Sequence, residues 1–430
     1  MKIYTISQNE INKRRVYSNT TTPQKALNST NNNSTTILTQ TKLQRVPANL
    51  SLVYFCGLIP AANRLSKSDY LISEYIREIG KARYLHGDKS VVDLSMGNPD
   101  LTPPEKAKEA LKEKVNDLWS HRYNNPKGEG ALLYEVENWM QKRFGVKINP
   151  KTEVMVTSGS SDAIDHIFTA YANYGDKVLV PNPGYSLYDD LITRHDLKKE
   201  QFDLNPENGY LPDFSKFPDD AKILILNYPH NPTGSFAPKR VFEEAVKWAK
   251  EHKTLIIHDM DNSEVTHSGR KPVGIMQVDG AKDVAFQIHT MSKAQSMPGL
   301  RVAFTVSDKE NIDNLLNAKY LSGGSVYVPV QHATIAALKD EEGYINKINK
   351  IYRERNNTAI IARMVSFCLE TGNKTLKFAT NKPENIKLYK SLGMVKDGTR
   401  NFNGENYTVL KFDEASMRAY LNKYQINLTC

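Results

Sequence analysis

Three cysteines in 430 residues, Cys56, Cys368 and Cys430, are too few and too far apart for a disulfide framework or a cysteine-based metal site. They fit free thiols in a reducing compartment, so a cytoplasmic location is expected, and no metal is. Long apolar runs are also missing. The longest candidate, Leu50 to Ala62, covers 13 residues and is broken by Gly57 and Pro60. It falls short of the roughly 20 residues that span a bilayer, and no membrane association is expected. Acidic residues are scarce only at the start. Residues 1–50 hold seven Lys/Arg against a single acid, Glu10, so six of the nine net positive charges sit there. The body is nearly balanced, which removes the electrostatic case for nucleic-acid binding. What is left is an ordinary globular composition, 24% charged and 40% hydrophobic, long enough for two or three domains.

Residues 1–48 are rich in Asn, Ser and Thr, with the runs Thr20-Thr21-Thr22 and Asn31-Asn32-Asn33 and no periodicity. Such a stretch cannot build a core and reads as a disordered, low-complexity basic extension. The same composition suits an organellar transit peptide, the alternative to a cytoplasmic location. Structure is expected from about residue 66, where Tyr70, Leu71, Tyr75, Ile76 and Ile79 mark an amphipathic helix.

Between about 90 and 365, short apolar runs alternate with helical periods. Residues 91–94, 153–156, 177–180, 221–226, 254–258 and 283–288 read as strands. Pro238 to His252 reads as a helix with Val241, Phe242, Ala245 and Trp248 on one face. The pattern predicts an α/β/α sandwich with a mostly parallel sheet, in which ligands gather at the carboxyl ends of the strands. From about 366 the character changes to a strand at 375–380, a helix at 384–391 and a strand at 407–412.

Each predicted strand end carries chemistry. The segment from His289 to Arg301 holds Thr290, Ser292, Lys293 and Arg301 on one short stretch. Lysine forms Schiff bases with carbonyl cofactors, and hydroxyls with an arginine fork hold a phosphate. The segment therefore suits a cofactor carrying an aldehyde and a phosphate, although a Ser-Lys pair alone is ordinary surface. Thr157 to Ile164 (TSGSSDAI) follows a strand and opens a helix, with Gly159, Ser160 and Ser161 in the turn. Taken alone it is either an anion cradle or a plain helix cap. Asn227 to Gly234 (NYPHNPTG) fixes Asn231 in a proline-bounded turn, and Asp259 ends the next strand as a cap or a functional carboxylate.

In chain order these motifs resemble the class I/II aminotransferases of fold type I, which depend on pyridoxal 5'-phosphate. Residues 93–100 (DLSMGNPD), Tyr123 to Gly128 and Pro181 to Tyr185 add to the likeness, which covers about 68–365. The resemblance implies a roughly 300-residue large domain and transfer of an amino group from an L-amino acid to a 2-oxo acid. It implies Lys293 as the residue that carries the cofactor as an internal aldimine and then moves the substrate Cα proton. It also implies Asp259 at the pyridine nitrogen, Asn231 at the phenolic oxygen and Tyr185 on the ring face. Gly159, Ser160, Ser161, Thr290, Ser292 and Arg301 fall to the phosphate, and Gly97 to the substrate carboxylate. Tyr123 is expected to reach the cofactor of a neighbouring subunit, which makes the protein a homodimer.

Two departures stand out. The family places a tyrosine three residues after the strand-end aspartate, and this chain has Asn262 there. The family also continues into a small domain whose arginine clamps the substrate α-carboxylate, yet Arg400 and Arg418 lie outside the expected context. Residues 376–412 resemble instead the closing half of a GNAT-type acetyltransferase, through Asn385, Tyr389 and Leu392-Gly393, without that family's Gly-rich pyrophosphate loop. The expected organisation is an extension (1–48), a large cofactor-binding domain (66–365) and a partial GNAT-like segment (366–430) replacing the usual small domain. An aminotransferase is the leading reading. A repurposed cofactor-binding protein with impaired transamination is the alternative, and an acetyltransferase a distant third.

Overall fold

Parallel strands covered on both faces need apolar side chains at consecutive positions, and the central runs of this chain supply them. A computed structural model describes residues 71–87, 97–266, 269–322, 324–370, 375–380, 386, 389–390, 393–402 and 405–423. The basic extension and the predicted strand at 91–94 lie outside these residues.

Helix α1 (Leu71–His86) forms where the amphipathic pattern places it, followed by α2 (Glu105–Val115) and α3 (Gly130–Phe144). The sheet strands are β1 (Val154–Thr157), β2 (Lys177–Asn182), β3 (Lys198–Asp203), β4 (Ala221–Asn227), β5 (Leu255–Asp259), β6 (Ala285–Thr290) and β7 (Ala303–Val306). Between and after them run α4 (Ser160–Tyr171), α5 (Leu187–Arg194), α6 (Lys239–His252), the one-turn α7 (Met291–Ala294), α8 (Lys309–Ser322), α9 (Val328–Lys339) and α10 (Glu341–Glu370).

The seven strands order as β1-β7-β6-β5-β4-β2-β3. Pairing is parallel except where β7 runs against both β1 and β6. Side chains alternate between two cores, as a pleated strand requires. On β4, Leu224 and Leu226 join one core with α3 and α6, while Ile223 and Ile225 join the other with α4, α5 and α8. This is the predicted sandwich, and its parallel strands aim their carboxyl ends at Thr157, Asn182, Asn227, Asp259 and Thr290. β3 and β7 were not foreseen.

Residues 374–430, with 72–93, form a separate compact unit. It holds β8 (Thr375–Thr380), β9 (Val395–Phe402) and β10 (Glu405–Asp413) in the antiparallel order β8-β10-β9, and α11 (Glu414–Lys423). Within this unit Phe412 meets Tyr420 of α11, ring centroids 5.5 Å apart. Arg400 on β9 is exposed, and Arg418 pairs with Glu414 one helical turn away at 2.9 Å. Asn385 lies outside the described residues. Tyr389 stacks on Phe378 at 5.0 Å. Among the described residues no helix is long and apolar enough to cross a membrane.

The sheet interior holds a histidine in its neutral form. His258 on β5 is fully buried, accepts the Ile275 N–H at Nδ1 (3.2 Å) and faces the Tyr228 carbonyl with Nε2 (3.3 Å). Burial pushes its pKa down to about 3. A depressed histidine stabilises the fold fully above its unfolded value near 6.5 and loses that contribution as pH falls toward 3. The full window corresponds to roughly 5 kcal/mol at about 1.4 kcal/mol per pH unit. Denaturant unfolding between pH 7 and 4 is expected to show stability dropping with acid, with a shallower slope in His258→Gln. Equal slopes would assign the acid sensitivity elsewhere.

Candidate active site

The carboxyl ends of β1, β4, β5 and β6 converge on one set of polar groups. Beyond β1, Gly159 adopts φ 93°, and a Cβ there would stand 2.5 Å from Nη2 of Arg301. The guanidinium thus lies against bare backbone, immediately before the α4 N-terminus supplied by Ser160 and Ser161. Open N–H groups of that helix and the Arg301 charge give one anion cradle. Lys319 of α8, 1% exposed, fixes the approach to this turn by donating to the Val156 carbonyl at 2.6 Å. Its burial lowers its pKa to about 8.

Beyond β6, Thr290 caps α7 by accepting the Ser292 N–H at 3.2 Å, and the two hydroxyls share a 2.7 Å hydrogen bond. The next residue is Lys293, whose Nζ donates to the Gly97 carbonyl at 2.7 Å. Burial lowers the pKa of this amine, Arg301 adds to the effect, and Asp261 opposes it. Sequence reasoning had placed Gly97 on the substrate side, and the hydrogen bond brings it to the amine.

Beyond β5, Asp259 is 3% exposed and held from three sides. Tyr188 Oη donates to Oδ2 at 2.6 Å, the Asp261 N–H to Oδ1 at 3.1 Å, and Asn227 Nδ2 to the Asp259 carbonyl at 2.9 Å. Asn227 Oδ1 in turn accepts the Asn231 N–H at 2.8 Å, tying that turn to the end of β5. Tyr185 stands edge-on to Tyr188, centroids 5.7 Å apart. Burial and the Asp259 charge drive the Tyr188 phenol well up, so it remains a donor.

Besides Lys319, three of these residues escaped sequence reasoning. Tyr188 lies in the first turn of α5, and its N–H donates to the Tyr185 carbonyl at 3.2 Å in the turn that opens the helix. Asn227 is the last residue of β4. Asp261 is two residues beyond Asp259, and its Oδ2 accepts from Ser160 Oγ at 2.6 Å while its Oδ1 is sealed from water with no partner. Burial and the neighbouring Asp259 charge push the Asp261 carboxyl well above the usual range. Asn262 is half-buried beside it. Tyr123 does not join the cluster in a single chain, its side chain standing fully exposed at 106%.

The residues fit a phosphorylated pyridoxal group. A guanidinium packed against a bare glycine at a helix start supplies charge and open N–H groups for a phosphate, a buried carboxylate suits a ring nitrogen, and a desolvated amine lies within the same site. Strand ends of an α/β/α sandwich with this donor set define a pyridoxal-phosphate enzyme. The family model for "Aminotransferase class I and II" matches residues 89–397, and the chain belongs to that family. It is a pyridoxal-phosphate-dependent aminotransferase.

It is 35% identical over 299 residues to the LL-diaminopimelate aminotransferase of Dehalococcoides mccartyi, covering 68% of this chain and 76% of that protein. With LL-diaminopimelate aminotransferase 2 of Trichormus variabilis it shares 32% over 305 residues, 70% and 78% of the two chains. The solved structure of apo-BacF from Bacillus subtilis matches with a TM-score of 0.69 and 26% identity, covering 86% of this chain and 98% of that one. An aspartate aminotransferase from Thermus thermophilus shares the fold, with a TM-score of 0.66 at 21% identity over 86% of this chain and all of that one.

Proposed function

We propose that the chain moves an amino group from LL-diaminopimelate to a 2-oxo acid at Lys293. The observation that carries the assignment of the site is the meeting of Lys293 Nζ with the Gly97 carbonyl, in a site lined by Asp261 and Arg301. The relatives named for LL-diaminopimelate support the substrate.

When bound, the cofactor supplies an electron sink for the charge released at the substrate Cα. Lys293 would hold the cofactor and, once freed, would take up the substrate Cα proton at Nζ; its lowered pKa makes the proton-free amine easier to reach. Asp259, oriented by Tyr188 and the Asp261 N–H, would favour a proton on the ring nitrogen. Asn231 would donate to the phenolic oxygen and Tyr185 would cover the ring. Gly159, Ser160, Ser161, Thr290, Ser292 and Arg301 hold the phosphate, and Gly97 faces the substrate carboxylate.

Tyr123 serves the neighbouring site in a homodimer. Support comes from the large exposed side chains around it, Leu118 and Trp119 at 68% each. The sparse cysteines favour the cytoplasm. We also read the chain as an extension (1–48), a cofactor-binding domain (66–365) and a GNAT-like closing segment (366–430). The compactness of residues 94–373 as one unit supports the second boundary, while residues 72–93, inside the cofactor-binding domain on this reading, group with residues 374–430.

The test is glutamate formation from 2-oxoglutarate with LL-diaminopimelate, alanine, aspartate or lysine as donor. LL-diaminopimelate is expected to give the highest kcat/KM. A higher value for another donor overturns the substrate. Cofactor binding with no glutamate from any donor returns the protein to the repurposed reading.

A further inference from the structure

The Ser160 hydroxyl, placed above among the phosphate-holding groups, is already engaged by a carboxyl. Its Oγ donates to Asp261 Oδ2 at 2.6 Å. The other oxygen of that carboxyl, Oδ1, is shut off from water and has no hydrogen-bond partner. A second carboxylate stands next to it, since the Asp261 backbone N–H donates to Asp259 Oδ1 at 3.1 Å. Two ionised carboxylates and a phosphate dianion cannot share so small a site without heavy repulsion. The cation whose charge reaches Asp261 is Lys293, which also donates to Gly97, while Arg301, against Gly159, donates to the Pro298 carbonyl at 3.2 Å.

We propose that Asp261 is a protonation gate on cofactor loading, admitting the phosphate when its carboxyl is neutral and opposing it when ionised. The inference rests on the assignment of the Gly159-Ser160 turn to the phosphate. A neutral Asp261 leaves Asp259 as the single buried negative charge, which is what a protonated ring nitrogen needs. The unpartnered Oδ1 is then the natural seat of the proton, leaving Oδ2 to accept from Ser160. Ionised, Asp261 holds the Ser160 hydroxyl more tightly and adds a charge of the same sign as the incoming group. Burial and the Asp259 charge already favour the neutral form. Tyr188, the remaining titratable group in contact with the pair, stays protonated and adds no charge. Because binding and protonation are linked, a bound phosphate draws the proton more firmly onto Asp261.

Asp261 acts here as a positioning residue for Ser160 and for the charge balance, so its test is a pH profile. Pyridoxamine 5'-phosphate is the probe, since it lacks the aldehyde and leaves Lys293 condensation out of the measurement. Its affinity for the full-length protein, freed of cofactor, is titrated by calorimetry from pH 5 to 9. Through about pH 6 affinity rises in every variant as the ligand's phosphate becomes a dianion. In the wild type it is expected to pass through a maximum and then fall, by up to about tenfold per pH unit, as Asp261 ionises. Asp261→Asn, which keeps the shape without the charge, is expected to hold its affinity on the alkaline side. Asp261→Ala, matched to the wild type by circular dichroism, is expected to follow Asn.

A parallel alkaline fall in the wild type and both variants overturns the proposal. So does loss of binding by both variants at every pH, which would make the ionised carboxylate a requirement. Arg301→Ala separates the gate from the site itself. Unchanged affinity in that variant removes the phosphate from the Gly159-Arg301 turn, and the proposal falls with it.

Discussion

Lys293→Ala is expected to abolish amino transfer, lowering kcat/KM by at least about 10⁴-fold. The amine is assigned two tasks that no neighbour can share. It binds the cofactor covalently, and it moves a proton at the substrate Cα. The nearest other cation, Arg301, cannot give up a proton at any working pH and lies against Gly159. Burial and the Arg301 charge lower the pKa of Lys293, so it loses its proton more readily than an exposed lysine. Lys293→Arg tests whether charge alone suffices. A guanidinium keeps the positive charge but neither condenses with an aldehyde nor accepts a proton, so it is expected to be as inactive as the alanine variant. The checks are initial rates of glutamate formation and borohydride reduction followed by peptide mass. The wild type should retain the cofactor mass on the peptide containing Lys293, and neither variant should. Turnover by Lys293→Ala within tenfold of the wild type would refute the assignment.

The strands that build the site floor were legible because burial on both faces writes itself as consecutive apolar residues. Ala221–Asn227 and Leu255–Asp259 carry that mark, and their carboxyl ends carry the site. β3, reading Lys-Lys-Glu-Gln-Phe-Asp, lies at the sheet edge with five of six side chains exposed, so no apolar run announces it. β7 has four residues and runs antiparallel among parallel neighbours, too short for a pattern. In the C-terminal unit β8 fell where expected, while β9, reading Val-Lys-Asp-Gly-Thr-Arg-Asn-Phe, is mostly polar and went unseen. The site divides in the same way. Motifs contained in one turn, such as Thr290 to Lys293, were readable. Pairings across the chain were not: Tyr188 meets Asp259 across 71 residues, and Ser160 meets Asp261 across 101. Local spacing holds no record of such contacts, which arise only when the parallel strands align their ends.

Asp259→Ala is expected to lower kcat/KM by about 10²–10³-fold, the scale on which a preorganised charge at a developing charge is lost. The effect should fall on kcat more than on KM, because the proposal sets the carboxylate against the ring nitrogen rather than the incoming substrate. Tyr188→Phe keeps the charge and removes one donor, at 2.6 Å, so it should cost about tenfold or less. Asp259→Asn keeps the shape and removes the charge, and it should resemble the alanine variant if charge is what matters. A second carboxylate complicates the alanine variant in a way that can be measured. Burial, and then the charge of Asp259, raise the pKa of Asp261 and oppose its ionisation. Removing that charge lets Asp261 ionise two residues away, where it can restore part of the lost field. The double variant Asp259→Ala/Asp261→Asn lacks this substitute and is therefore expected to fall below Asp259→Ala alone, whereas Asp261→Asn by itself, replacing a carboxyl whose ionisation Asp259 opposes, is expected to change kcat little near neutral pH. Such unequal effects of one substitution in two backgrounds are a coupling that independent sites do not show. Additive losses would mean that the two carboxyls act separately, and a wild-type kcat in Asp259→Ala would remove Asp259 from the ring nitrogen.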